Sequence, residues 1–246
     1  NKMTIRTKEE LDEIMRAVGD AEFRITDIRR SERIRKAPLP FTTSTLQQEA
    51  AKALNFGTQK TMRIAQQLYE GIDIKGNGTV GVITYLRTDS TRISEEADAA
   101  AREYISSTYG KEYATEPAVA KASGKKIQDA HEAIRPTDIT RTPAALKDSL
   151  TRDQFRLYQL IWKRFTASRM QPARYETTSV KIGAAEYCFT VSTAKMAFDG
   201  FRSVYTEADE VKEESNVLVG NLTMDSVLTK NEFDPKQHFT QPPAHY

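Results

Sequence analysis

The sequence of 246 residues predicts an α+β fold of more than one domain, in which a mostly helical segment is inserted into a β-rich one. Two observations predict it. Apolar residues recur at spacings of three and four between residues 45 and 171, which is typical of amphipathic helices. They alternate with polar residues near 23–36 and again after residue 172, as in half-buried strands. We therefore predict a helical domain over 45–171 and a discontinuous β-rich domain over 1–44 and 172–246.

Capping residues set the predicted elements of the first half. Thr7 and Glu10 form a capping box ahead of an apolar stripe, and Ser44 with Gln47 is expected to open a second helix. The elements expected up to residue 84 are a helix from Thr7 to Gly19, a strand near 23–36, helices beginning at Ser44 and Thr58, a loop over 71–78 and a strand over 80–84.

The strongest helix signal in the second half follows Thr151, where large apolar residues recur at helical spacing. Trp162 and Phe165 on this stripe are predicted core residues, and Cys188 is expected to be a small buried residue of a strand. The other expected elements are helices beginning at Ser94 and Thr142, a mobile surface loop over 111–129, and strands over 175–182, 186–192, 200–205, 217–221 and 224–228.

Composition excludes several classes of protein. No stretch approaches 18 uninterrupted apolar residues, so no membrane-spanning helix is expected. A single cysteine, Cys188, excludes a disulfide framework and a cysteine-based zinc site. A reducing, cytoplasmic setting is the simplest interpretation of this cysteine usage.

The formal net charge of +2 hides an uneven distribution. Basic residues outnumber acidic ones over 1–171, whereas acidic residues dominate over 172–246. A basic cluster of this kind suits a phosphate-bearing partner. The alternative is a strand edge protected by solvated cations. The cluster consists of Arg29, Arg30, Arg33, Arg35 and Lys36.

The segment 81–90 is the most informative one for chemistry, because an apolar strand ends there in a polar cluster. If the strand geometry persists, Tyr85 and Arg87 point to the same side. A guanidinium favours the phenolate of a neighbouring tyrosine and binds phosphate oxygens, so this pair could support nucleophilic attack on a phosphodiester. The alternative is a half-buried aromatic residue beside a solvated charge.

A second polar cluster follows the predicted surface loop. His131 could donate a hydrogen bond to a phosphate or move a proton near neutral pH. Arg135 could bind a phosphate with two parallel hydrogen bonds. The alternative is that His131 caps a helix end while Glu132 and Arg135 form a surface ion pair at i,i+3.

Four motifs resemble those of the bacterial type IA DNA topoisomerases. The segment 85–92 (YLRTDSTR) resembles the active-site signature of that family, and 131–137 (HEAIRPT) resembles a second motif. The segments 40–48 (PFTTSTLQQ) and 239–244 (FTQPPA) match two more, in the family's order. Leu86 is more typical of topoisomerase I than of the topoisomerase III branch, where proline is usual.

The resemblance implies roles for individual residues. Tyr85 would be the nucleophile that breaks single-stranded DNA and keeps the 5′-phosphoryl end. Arg87 would stabilise the pentacovalent phosphate, and His131 would be a phosphate hydrogen-bond partner close to Tyr85. The residues that would shape the site or bind DNA are Thr88, Asp89, Ser90 and Arg135.

The resemblance also implies a fold and a mechanism. A helical gate domain with a helix-turn-helix-like core carries Tyr85 and is inserted into a β-rich arch domain. When the gate lifts away, a second DNA strand passes through the break, which relaxes negatively supercoiled DNA. ATP is not needed, because the phosphotyrosine bond stores the energy of the phosphodiester.

The family's other parts are expected outside this sequence. A Toprim domain would bind Mg²⁺ through an Asp-x-Asp-x-Glu cluster, and no Asp-x-Asp occurs in this chain. A DNA-binding base domain would follow residue 244, and His245 stands where the family commonly has arginine. We therefore expect this chain to be the central part of a bacterial, cytoplasmic, nucleoid-associated enzyme, and to be unable to cleave DNA alone.

Other functions remain open on the residues. A helix-turn-helix DNA-binding module without chemistry would explain the basic excess, but it would not explain the joint occurrence of the tyrosine and histidine clusters. A structural arch that does not bind DNA is a third possibility. Within the enzyme class, topoisomerase III and reverse gyrase are minor alternatives, since both use a related tyrosine gate.

Overall fold

The computed structural model describes residues 3–116, 131–206 and 222–239. The predicted α+β class is confirmed, since helices and antiparallel sheets are both present. The backbone divides into two compact units. The predicted domain boundaries at residues 44 and 172 stay a prediction. The first unit comprises Asn1–Ser31, Thr177–Ala194 and Ser215–Tyr246, and the second comprises Glu32–Glu176 and Lys195–Glu214.

Most helices begin and end where the sequence predicts. The first two helices of the second unit are joined by a short turn at Asn55, whose φ of 57° lies in the left-handed region that ends a helix. These two helices pack against each other. The α-helices of the described residues are α1 (Lys8–Gly19), α2 (Thr43–Leu54), α3 (Thr58–Glu70), α4 (Glu95–Thr108), α5 (Pro143–Leu146) and α6 (Arg152–Ser168).

The strands form two antiparallel sheets. The larger sheet has the order β5-β4-β1-β6, so the strand near residue 23 lies beside strands that follow residue 172. The smaller sheet is the hairpin of β2 and β3. The strands are β1 (Phe23–Arg35), β2 (Ile72–Ile74), β3 (Gly78–Val80), β4 (Ala173–Ala184), β5 (Tyr187–Phe198) and β6 (Val227–Leu228).

The N-terminus of α2 differs from the prediction. Thr42, not Ser44, is the N-cap, and it forms a capping box with Thr45. The Thr42 backbone N–H donates to the Thr45 hydroxyl at 2.9 Å, and the Thr45 N–H donates back to the Thr42 hydroxyl at 3.3 Å. Hydroxyl side chains occur at four consecutive positions here, so more than one residue could cap the helix. The reciprocal pair of Thr42 and Thr45 is the one that forms.

Several further predictions are wrong. The predicted strand over 80–84 is not a strand, because β3 ends at Val80 and Ile83 forms only an isolated bridge. The predicted loop over 71–78 contains β2 and the start of β3. The predicted strand over 200–205 begins with a 3₁₀-helix, Gly200–Ser203, because Gly200 has a φ of +51° that ends the extended backbone. Cys188 is exposed, since Tyr187 and Phe189 are the partly buried residues on the opposite face of β5. The segment 217–221 and most of the predicted loop 111–129 lie outside the described residues.

Helix α6 is the centre of the second unit's core, packing against α2, α3 and α5. Tyr158, Trp162 and Phe165 are all buried, as their spacing predicts. Full burial of each large apolar side chain stabilises the fold by about 1.5–3 kcal/mol. The polar atoms of these rings are satisfied: the Tyr158 hydroxyl donates to the Arg141 carbonyl at 2.6 Å, and the Trp162 indole donates to the Ile139 carbonyl at 2.8 Å. Burial raises the pKa of Tyr158 well above its ordinary value.

The first unit has its own small core. Ile14 and Val18 of α1 are buried with Ala184 of β4, and aromatic residues of the sheet pack around them. The aromatic residues packed on this core are Phe23, Tyr187, Phe189 and Phe233.

Within the described ranges, no helix combines the length and the apolar character needed to cross a membrane.

Gly200 generates the first testable prediction. A Cβ added there would lie 2.4 Å from the Gln171 carbonyl oxygen, in addition to the strain of the positive φ. We expect Gly200→Ala to lower the free energy of unfolding by about 2–5 kcal/mol, measured by urea denaturation. Gly76→Ala is the matched control, because Gly76 has a φ of +87° with no atom within 4 Å of an added Cβ. The control should cost about 1–2 kcal/mol, and equal costs for the two variants would contradict the overlap.

Candidate active site

In the segment 81–90, exposed and buried side chains alternate over 85–90, but the backbone bends at Leu86 and Arg87. The Tyr85 side chain retains 44% of its accessible surface. Tyr85 and Arg87 are both exposed, whereas the strand geometry on which their same-side placement was predicted does not persist. The exposed residues are Tyr85, Arg87 and Asp89, and the buried ones are Leu86, Thr88 and Ser90.

The segment is held by pairing with the second predicted cluster. The Thr84 N–H donates to the Arg135 carbonyl at 2.9 Å, and the Thr137 N–H donates to the Val82 carbonyl at 3.0 Å. Ile83 and Pro136 form an antiparallel bridge between these bonds. This pairing brings together two sequence motifs that are separated by about fifty residues.

The segment leading into α2 joins the same arrangement. The Ile134 N–H donates to the carbonyl of Phe41 at 2.8 Å, and the two residues form a second antiparallel bridge. Both side chains are fully buried. Three of the four segments singled out in the sequence thus meet at one place in the second unit.

Thr43 fixes the backbone on either side of Arg87. Its hydroxyl donates to the Leu86 carbonyl at 2.7 Å and accepts from the Thr88 N–H at 2.9 Å. Its own N–H donates to the Thr88 carbonyl at 2.9 Å. The first residue of α2 therefore determines how the Arg87 side chain leaves the backbone.

The predicted turn over 88–90 is held by side-chain to backbone hydrogen bonds. The Thr88 hydroxyl accepts from the Ser90 N–H at 3.0 Å, and the Ser90 hydroxyl accepts from the Arg92 N–H at 3.2 Å. Both hydroxyl residues are buried and point away from the exposed row. Their position is that of residues that shape a loop.

A cleft of about 400 Å³ lies between this turn and the start of α2. Its charged groups are the Arg87 guanidinium and the Asp89 carboxylate, with the His131 imidazole beside them. The first turn of α2 contains no acidic residue. The positive end of its dipole therefore adds to the attraction that Arg87 exerts on an anion. The residues lining the cleft are Thr42, Thr43, Ser44, Arg87, Thr88, Asp89 and His131.

Tyr85 contacts two other rings, one of which, His131, lines this cleft. The His131 ring is stacked on it, with centroids 6.4 Å apart and an interplanar angle of 25°. The Tyr69 ring meets it edge-on, with centroids 5.5 Å apart and an angle of 68°. His131 is exposed and lies in a segment without helix.

Arg135 does not line the cleft with the other predicted residues. Its Nε and Nη2 atoms donate to Glu132 Oε2 at 2.9 and 2.6 Å, and Nη1 donates to the Pro136 carbonyl at 3.0 Å. The i,i+3 ion pair considered from the sequence is therefore present, but it is largely buried rather than a surface pair. This geometry leaves Arg135 to support the backbone of the second motif.

Several residues of the site were not predicted to belong to it. The cleft residues 42–44 lie in a segment that resembles a family motif but was given no role in the site. Tyr69 was predicted only as part of the apolar side of α3. The residues that the structure describes contain no cluster of three or more His, Cys, Asp or Glu side chains suited to a metal ion. The segment 240–244 and His245 lie outside the described residues.

Comparison with known proteins gives two findings. The DNA topoisomerase family matches the chain over residues 1–246. Among solved structures, full-length topoisomerase I from Thermotoga maritima is similar to this chain, with a TM-score of 0.74 and 36% sequence identity. The match covers 92% of this chain and 35% of the Thermotoga chain, so this chain spans about a third of that enzyme's length.

The Thr43 hydroxyl generates the second prediction. We expect Thr43→Val to lower the free energy of unfolding by about 1–3 kcal/mol, because the Thr88 N–H and the Leu86 carbonyl lose their shared partner. Amide hydrogen exchange at Thr88 should accelerate in this variant, and urea denaturation measures the stability. Thr43→Ser keeps the hydroxyl and is the control. A Thr43→Val protein with unchanged exchange at Thr88 would contradict the assigned role.

Proposed function

The chain belongs to the bacterial type IA DNA topoisomerases, and we propose that it carries the nucleophile and the strand gate of such an enzyme. In this proposal Tyr85 breaks single-stranded DNA and forms a 5′-phosphotyrosine. A second DNA strand passes through the break, and the break is then resealed. The net result is relaxation of negatively supercoiled DNA without ATP.

One observation carries the proposal: the exposed Tyr85 ring is stacked on His131, which lines one cleft together with Arg87. A phosphodiester seated in that cleft would meet a guanidinium, an imidazole and the N-terminal turn of a helix. All three favour bound negative charge. The phenol at its edge would then be the group within reach of phosphorus.

The chemical step exchanges one phosphate ester for another. The Tyr85 hydroxyl loses its proton as its oxygen forms a bond to phosphorus, and the bond from phosphorus to the 3′-oxygen breaks. The 3′-oxygen leaves with a proton as a free hydroxyl, so no proton is gained or lost overall. Resealing runs the same exchange backwards, and the energy of the ester bond is retained throughout.

Arg87 and His131 would act on the developing charge. The pentacovalent phosphate carries more negative charge on its equatorial oxygens than the ground state does. A guanidinium held by a rigid backbone stabilises that charge without reorganising. His131 would donate a second hydrogen bond to the same phosphate, from a ring already stacked on Tyr85. Thr88, Ser90 and Arg135 would keep these groups in place, and Asp89 would lie at the DNA-binding surface.

Strand passage would require the gate to lift. We propose that the chain near residues 44 and 172 acts as the hinge of this motion, since these are the predicted junctions of the helical and β-rich parts. The basic residues of β1 would contact the phosphates of passing DNA, and such contacts weaken with salt.

Mg²⁺ does not fit the described residues of this chain, which offer no ligand cluster. We propose that the ion is bound by another part of the parent protein, of the Toprim type, and no step above depends on it. The same consideration underlies the proposal that this chain alone does not cleave DNA. An SDS-stable adduct between the isolated chain and DNA would overturn that proposal.

The nucleophile is tested with the natural full-length protein, end-labelled single-stranded DNA and Mg²⁺, quenched in SDS. We expect the wild type to give an adduct that retains the 5′-phosphoryl side of the break. Tyr85→Phe should give none, because the attacking oxygen is absent. Both proteins should bind the strand with similar affinity. If both bind and neither forms an adduct, a DNA-binding module without chemistry becomes the better interpretation.

Arg87 gives the fourth prediction. Arg87→Ala should slow single-turnover cleavage by about 10²–10³-fold, the usual effect of removing one donor to a developing oxyanion. It should also reduce the slope of log affinity against log salt by about 0.7, because one phosphate contact is lost. Arg16→Ala, at an exposed arginine of α1, is the control and should change neither quantity. An Arg87→Ala enzyme that cleaves at the wild-type rate would remove Arg87 from the chemistry.

A further inference from the structure

Tyr69 is the residue beside the proposed nucleophile that no sequence motif singles out. Its ring meets Tyr85 edge-on at a centroid distance of 5.5 Å, on α3 rather than on either motif segment. The edge-to-face arrangement is a favoured one for aromatic pairs. Tyr69 itself is 39% exposed, so it is not one of the buried core residues.

The backbone around Tyr69 is hydrogen-bonded directly to the segment that carries Tyr85. The Val82 N–H donates to the Leu68 carbonyl at 2.8 Å. An added Cβ at Gly81 would lie 2.5 Å from the Tyr69 carbonyl oxygen, so only glycine permits this approach. The last turn of α3 therefore cannot shift relative to the start of the site segment without breaking a hydrogen bond.

We propose that Tyr69 is a positioning residue, which holds the Tyr85 ring in the orientation needed for in-line attack on phosphorus. The inference rests on the proposed function of Tyr85 and adds to it a residue outside the family's motifs as matched in this sequence. Tyr69 touches neither phosphate nor DNA in this role, and it acts through the ring contact alone.

The physical need for such a residue follows from the exposure of Tyr85. A tyrosine with 44% of its surface accessible lacks the packed surroundings that fix a core side chain in one rotamer. Attack on phosphorus requires the oxygen to lie within a narrow range of distance and direction. The contacts with Tyr69 and with His131 restrict the movement of the Tyr85 ring, which remains 44% exposed.

The experiment compares Tyr69→Leu and Tyr69→Phe in the full-length protein, with single-turnover cleavage and religation of end-labelled single-stranded DNA. Tyr69→Leu should slow both directions by about tenfold, because forward and reverse attack share one transition state. The affinity for the strand should not change. Tyr69→Phe keeps the ring and should restore most of both rates.

Two further variants separate positioning from general damage. Gly81→Ala leaves the Tyr69 side chain intact but pushes the end of α3 away, so it should also slow both directions with unchanged affinity. Tyr109→Leu is the matched control, because its ring packs on Tyr113 in another aromatic pair, and it should leave the rates unchanged. If Tyr69→Leu lowers the melting temperature, Tyr69→Met takes its place.

Several results would overturn the inference. Wild-type rates in Tyr69→Leu would show that the contact has no positioning effect. A weakened affinity that accounts for the whole rate loss would make Tyr69 a DNA contact instead, and a slow Tyr69→Phe would point to its hydroxyl. An adduct formed by Tyr85→Phe in the same assay would overturn the proposed function itself, and the positioning role with it. If Tyr85→Phe forms no adduct, the other outcomes test the role of Tyr69 and leave the proposed function of Tyr85 in place.

Discussion

The backbone pairing between the segment before Tyr85 and the segment after His131 is the interaction on which the candidate site depends. The Thr84 and Thr137 amides donate across it, and the bridge of Ile83 with Pro136 lies between them. A buried backbone group that loses its hydrogen-bond partner lowers the stability of the fold. Because Ile83 and its neighbours are buried, breaking this pairing would be costly in free energy. The positions of the other site residues depend on this pairing.

The buried Arg164 connects the segment before α2 to α6, the central helix of the second unit. Arg164 of α6 donates from Nε to the Leu39 carbonyl at 2.6 Å, and its guanidinium lies over the rings of Phe41 and Tyr205. Arginine tolerates this environment because its charge is delocalised and its planar group stacks on aromatic faces. The segment that enters α2 is therefore anchored just ahead of Thr43, which in turn fixes the turn around Arg87.

The site combines a rigid backbone with exposed reactive groups. Leu86, Thr88 and Ser90 are buried and hydrogen-bonded, while the side chains between them face outward. A period-two backbone makes this division possible, because each residue that anchors the segment presents its neighbour to solvent. For a substrate as large as a nucleic-acid strand, such an open and pre-organised row is more accessible than a deep pocket.

The local pattern of the sequence was sufficient for most helices. Caps, helical periodicity and strand alternation act over a few residues, so they are readable without the fold. Where two local signals competed, as between Thr42 and Ser44 for the cap of α2, sequence reasoning chose wrongly. It also missed the positive φ of Gly200, which ends the extended backbone where the sequence predicts a strand. Gly200 lies close to the Gln171 backbone at this point.

The sequence by itself determined the helical and β-rich order of the elements and the motifs that carry Tyr85, Arg87 and His131. Only the tertiary structure decided that His131 stacks on Tyr85, that Thr43 fixes the Arg87 turn and that Tyr69 completes the ring contact. Those contacts join residues on separate segments, and no periodicity encodes them. They exist because the core around α6 closes the chain and brings the segments to one place.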